Sequence, residues 1–137
     1  MENQVNPTRN DNPVWLKTYE ELGLTYDINM PPENSSLIDI FENSFSKFSN
    51  RTAFICMGAS ISFQEVDEYS KQVAVYLQSL GLTKGDKVAV MMPNILQLPV
   101  TVIGVLRAGL TLVNVNPLYK TSELEHQLTD SDAKALL

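Results

Sequence analysis

Three short apolar runs separated by two helix-forming stretches constrain the second half of this 137-residue chain more tightly than any other feature. Lys87-Val88-Ala89-Val90-Met91-Met92 is almost wholly apolar, as a strand buried on both faces must be. Leu110 to Val115 is a second such run, and Ala133 to Leu137 begins a third. Helical patterns fill Ile95 to Ala108 and the stretch from Ser122 to about Thr129, and all connections are short. The order β-α-β-α-β predicts an α/β fold: a parallel sheet with right-handed crossovers, flanked by helices.

Boundary signals support that reading. Asn94 is expected to cap the helix from Ile95, with Pro99 early enough to cause at most a local bend. Gly109 is expected to close it in a left-handed conformation. Asn116-Pro117 reads as a turn, and Ser122 with Glu125 as a capping box for the following helix.

Upstream, Val14, Trp15, Leu16, Tyr19 and Leu22 recur at helical spacing up to Gly23, and Met30-Pro31-Pro32 reads as a stiff connector. Ser36 is placed to cap a helix carrying Leu37, Ile38, Ile40, Phe41, Phe45 and Phe48. Thr52 to Cys56 and Ser60 to Phe63 flank Met57-Gly58-Ala59 as a small hairpin. Ser62 with Glu65 forms a capping box for a helix bearing Val66, Tyr69, Val73, Leu77 and Leu80, which Gly81 closes, with Leu82 folding back.

Two features suggest that more protein belongs around this chain. The stretch from Ile95 to Ala108 leaves only Gln97, Thr101 and Arg107 polar, so it needs protein on most sides. Ala135-Leu136-Leu137 reads as the middle of a buried strand. Residues 1–13 are expected to be a mobile polar tail. Residues 14–137 are expected to be the incomplete opening of a large domain, truncated after the third strand of the β-α-β-α-β run.

Several function classes are disfavoured by composition. A net charge of -6 with scattered basic residues argues against a nucleic-acid partner, because such binding neutralises phosphates with Lys and Arg. Cys56 is the only cysteine, so neither an intrachain disulfide nor a cysteine metal cluster can form. The N-terminus lacks the basic start and apolar stretch of a secretory signal. Leu98 to Val113 is too short and too interrupted to span a bilayer, which points to a cytoplasmic chain.

Catalytic signatures are equally sparse. Gly81-Leu82-Thr83-Lys84-Gly85-Asp86-Lys87 contains Gly and Lys, but at the wrong spacing for a phosphate loop and with no Ser or Thr after the lysine. It reads better as a helix-to-strand turn. His126 has no second histidine or nearby cysteine, and Glu123 and Glu125 do not share its helical face. Glu65, Asp67 and Glu68 suit a helix N-terminus better than a carboxylate pair. Phe41, Phe45 and Phe48 are spaced as a core stripe, with a fatty-acyl pocket as the less favoured alternative. No catalytic, cofactor-binding or metal-binding residue is assigned.

The segments Met92-Pro93-Asn94-Ile95-Leu96-Gln97, Leu106-Arg107-Ala108-Gly109 and Val113-Asn114-Val115-Asn116-Pro117-Leu118-Tyr119 together carry a specific resemblance. So do Ile61-Ser62-Phe63-Gln64-Glu65-Val66, Leu80 to Ala89, and Glu123-Leu124-Glu125-His126-Gln127-Leu128 with Asp130 to Ala135. In this order they resemble the N-terminal region of long-chain fatty acyl-CoA synthetases, within the adenylate-forming superfamily. The resemblance covers about Trp15 to Leu137.

The resemblance implies a two-step ligase. A long-chain fatty acid attacks the α-phosphate of ATP, with Mg²⁺ support, to give an acyl-adenylate; coenzyme A then displaces AMP. The family's phosphate loop, nucleotide site and catalytic lysine have no counterpart here, so this chain alone is expected to be inactive and to bind none of these cofactors. Its partners would be the fatty acid and the missing C-terminal remainder. A homodimer and peripheral contact with the inner face of a membrane are compatible with the family. An aryl- or medium-chain acyl-CoA ligase is the nearest alternative, and a short non-catalytic interaction module the alternative from another class.

Overall fold

A computed structural model describes residues 14–23 and 36–137. The expected tail over residues 1–13 and the Met30-Pro31-Pro32 connector lie outside the described residues. The chain divides into two units, Met1–Glu33 and Asn34–Leu137. The first contributes helix α1, Val14–Glu21, after which Gly23 donates its N–H to the Glu20 carbonyl.

The second unit opens with α2, Leu37–Phe48, capped as the sequence predicts: the Asp39 N–H donates to Ser36 Oγ at 3.2 Å. Strands β1, Thr52–Cys56, and β2, Ala59–Ser62, pair antiparallel. Their two-residue turn, Met57-Gly58, has positive φ at both positions, as the twist of a tight hairpin demands. The expected strand over Ser60 to Phe63 is therefore displaced by one residue, and Phe63 instead begins α3, Phe63–Ser79. The capping box that fixes this start is complete: Glu65 Oε2 accepts from the Ser62 N–H at 2.8 Å, and Ser62 Oγ accepts from the Glu65 N–H at 3.2 Å.

Beyond α3, strand β3 (Lys87–Val90), helix α4 (Gln97–Arg107), strand β4 (Thr111–Asn114), helix α5 (Thr121–Ser131) and strand β5 (Ala135–Leu136) follow in the expected order. The sheet is parallel with order β4-β3-β5, so β3 is central. Val88, Ala89 and Val90 are accordingly 0–2% exposed.

Two capping expectations fail. Asn94 does not cap α4. The chain turns first through an Ile95 N–H to Pro93 carbonyl bond, and the helix starts at Gln97 without a side-chain cap. Pro99 then occupies the third helical position, where its missing N–H would have been an unpaired donor in any case. Ser122 does not cap α5 either. The cap position is Lys120, whose N–H is accepted by Glu123 Oε2 at 3.0 Å, so the Ser122–Glu125 pair lies two residues inside the expected frame.

Gly109 behaves as expected. Its φ is +76°, and the end of α4 is closed by Gly109 N–H to Leu106 carbonyl and Leu110 N–H to Val105 carbonyl bonds, the double bond of a Schellman ending. An added Cβ would make only ordinary contact with Lys84. The strain of Gly109→Ala should therefore come from the backbone alone, about 1–2 kcal/mol of destabilisation. Chemical denaturation should show a lower midpoint for the variant, and an equal or higher midpoint would remove this cap from the stability account.

Helix α4 supplies both cores. Val105 joins Ala74, Leu77, Val88, Val90, Ala108 and Leu110; Val100 and Ile103 join Phe45, Ile61 and Val66. Of α4 only Gln97 is exposed, while Leu98, Pro99, Val102 and Leu106 are half-buried. Two of its three polar residues do not mark an outer face, since Thr101 is buried and the Arg107 side chain is 9% exposed.

Candidate functional site

The strongest electrostatic node is Arg107. Its Nη1 lies 2.6 Å from Glu42 Oε1 on α2, and its Nη2 lies 2.6 Å from Asp67 Oδ1 on α3. The guanidinium also sits 5.3 Å from the centre of the Phe45 ring. The other Asp67 oxygen takes Lys71 Nζ at 2.7 Å. Two carboxylates take the two Arg107 Nη atoms, so the node clamps three helices, while the buried Nε has no hydrogen-bond partner among the described residues.

The acidic run Glu65, Asp67 and Glu68 separates in the same way. Glu65 completes the α3 cap, Asp67 meets Arg107, and Glu68 accepts from Gln64 Nε2 at 2.9 Å. The three do not converge into an acid–base pair. Among the described residues no group of three His, Cys, Asp or Glu side chains could hold a metal ion, and His126 is exposed on α5.

The turn from Gly81 to Lys87 fails as a phosphate cradle for a positive reason. Asp86 Oδ2 accepts from the Thr83 N–H at 2.7 Å and from Thr83 Oγ1 at 2.9 Å, and the Gly85 N–H donates to the Gly109 carbonyl. A carboxylate already takes the donors an incoming anion would need, and its charge repels one. Asp86 is held below its usual pKa by the Thr83 backbone and hydroxyl bonds, and Glu65 is held below its own by the equivalent pair from Ser62. Both carboxylates therefore stabilise the fold above the ordinary carboxylate range, and that contribution disappears as pH falls through the depressed folded values. Between about pH 5 and about pH 2 the wild-type denaturation midpoint should fall more steeply than that of Glu65→Gln or Asp86→Asn. Parallel curves would show that neither bond is linked to folding.

Two concavities stand out among the described residues. An apolar cleft of about 450 Å³ lies between the hairpin and the start of α4, lined by Phe41, Phe54, Ile55, Cys56, Asn94–Leu96, Leu98, Pro99, Val102 and Ile103. The Cys56 thiol in its wall donates to the Asn94 carbonyl at 3.5 Å. The Phe41, Phe45 and Phe48 stripe splits here: Phe45 is buried in the core against Phe63, Phe48 also meets Phe63, and Phe41 turns one side to the cleft.

A second crevice, of about 280 Å³, opens at the carboxyl ends of β3 and β4 between Val90, Met92, Asn94, Leu98, Asn114, Val115 and Asn116. The chain passes from β3 to β4 and then returns across β3 to β5. Such reversals are where open α/β sheets receive ligands. The polar side chains in this crevice are three asparagines. Asn116 Oδ1 already accepts from the Leu118 N–H, and the Asn114 carbonyl accepts from Gln127 Nε2. These groups can hydrogen-bond a ligand but cannot transfer a proton at neutral pH. Sequence reading treated Asn116 only as a turn former and missed this grouping. The recurrence of asparagine after two apolar runs was the available signal.

Comparison with known proteins converges on one family. AMP-binding enzymes match residues 41–137. The long-chain-fatty-acid–CoA ligase of Escherichia coli O6:H1 is 50% identical over 125 residues, covering 90% of this chain and 22% of that protein. The ligase of the same name from Bacillus subtilis is 36% identical over 123 residues, with 90% and 21% covered. The chain thus spans about a fifth of the length of the curated relatives it matches. Among solved structures, the Klebsiella oxytoca NpsA N-terminal subdomain superposes with a TM-score of 0.71 at 26% identity, covering 74% of this chain and 27% of that one. The anthranilate CoA ligase AuaEII in complex with anthranoyl-AMP gives 0.71 at 26% identity, with 77% and 20% covered.

Proposed function

The chain belongs to the AMP-binding enzyme family, and from that membership we propose that it is the opening part of the large domain of an AMP-forming long-chain fatty acid–CoA ligase. The observation that carries this reading is the 50% identity over 90% of the chain to relatives bearing that name. The solved ligases of aromatic acids are about half as similar, at 26%. Their fold supports the superfamily, and the aryl-acid reading is the alternative they favour.

In the complete protein the fatty acid carboxylate would attack the α-phosphorus of ATP, releasing pyrophosphate and leaving an acyl-adenylate. Coenzyme A sulfur would then attack the acyl carbon, and AMP would depart. The residues of the Gly81–Lys87 turn do not fit a nucleotide phosphate, because the Asp86 carboxylate already takes the Thr83 donors. No step is therefore assigned to them. What this part contributes is a scaffold: a three-stranded parallel sheet, and α2, α3 and α4 fixed by Arg107.

Among the described residues no helix is long and apolar enough to cross a membrane. We place the protein in the cytoplasm, touching the inner face of a membrane only through a substrate that partitions into lipid. The test is a pyrophosphate-release assay on the full reading frame with palmitate and benzoate, followed by coenzyme A. Palmitate-dependent release and acyl-CoA formation are expected. Activity on benzoate but not palmitate would reject the long-chain assignment, and no adenylation of either acid would reject the ligase reading.

A further inference from the structure

We draw no further inference here: the strongest candidate, the apolar cleft of about 450 Å³ between the β1–β2 hairpin and the start of α4, is an unpartnered face, and nothing in the structure shows what covers it.

Discussion

Residues 1–137 alone should release no pyrophosphate from ATP with any fatty acid, under conditions where the full reading frame does so readily. Adenylation needs preorganised donors around the phosphates, a divalent cation, and positive charge near the reacting α-phosphorus. The cations described here are committed elsewhere or stand apart. Arg107 is locked between Glu42 and Asp67, Lys71 holds Asp67, and Lys134 holds Asp132. In the Gly81–Lys87 turn the Thr83 amide donates to the Asp86 carboxylate, and the Gly85 and Asp86 amides donate to backbone carbonyls. The expected difference is the whole catalytic acceleration, at least about a million-fold for enzymes in general. The same assay run on both proteins decides it: fatty-acid-dependent pyrophosphate above background from residues 1–137 would mean that a site has been overlooked.

A single added methyl group at Gly104 should also cost stability, here through packing. It faces α3 in the middle of α4, where a Cβ would lie 2.5 Å from Val73 Cγ1, 2.6 Å from Val73 Cβ and 3.0 Å from the Ser70 carbonyl oxygen. Val73 Cβ and the Ser70 carbonyl are fixed to the α3 backbone, so no rotamer change relieves the clash. The helices must separate, and Ser70, at 0% exposure, has no room to give. Overpacking of this kind costs about 1–3 kcal/mol, and the better helix propensity of alanine returns at most about 1 kcal/mol. Gly104→Ala should lower the denaturation midpoint of the protein, and Gly104→Val should lower it further. Val73→Ala removes Cγ1 but keeps Cβ, so combining it with Gly104→Ala should recover part of the loss, a favourable coupling between neighbours. If the double variant is no better than the sum of the single ones, the two side chains do not meet as described.

Local chemistry explains what could be read in advance. Ser36, Ser62 with Glu65, and Gly109 act through bonds or dihedrals within a few residues, and each lies where the sequence puts it. The apolar runs specified a parallel sheet because only a doubly covered strand tolerates Val88, Ala89 and Val90 together. Asn94 and Ser122 were misjudged because several residues near a helix start can cap it. The choice falls to the turn that precedes each helix: the Pro93–Ile95 turn in one case, the Asn116 turn and the Glu123 bond to Lys120 in the other. Gly104 was legible only as a break in an apolar stretch, since its role depends on Val73, far away in sequence. The crevice at the ends of β3 and β4 was hidden for the same reason, as it exists only once Asn94, Asn114 and Asn116 are brought together by strand pairing. Arg107 was legible only as a polar residue in an apolar helix, because its partners, Glu42 and Asp67, are set by the packing of three helices.

The order β4-β3-β5 also sets a timetable for the newborn polypeptide. The central strand leaves the ribosome first, and both flanking strands are made later. Until Thr111–Asn114 arrives, Lys87–Val90 has neither sheet edge occupied, and its second edge stays open until Ala135–Leu136 appears. An apolar strand waiting for non-local partners is the kind of segment that pairs with the wrong neighbour. Slow decoding between β3 and β5 would therefore prolong the interval in which nascent chains can stick to one another, and a holding chaperone would have most to protect there.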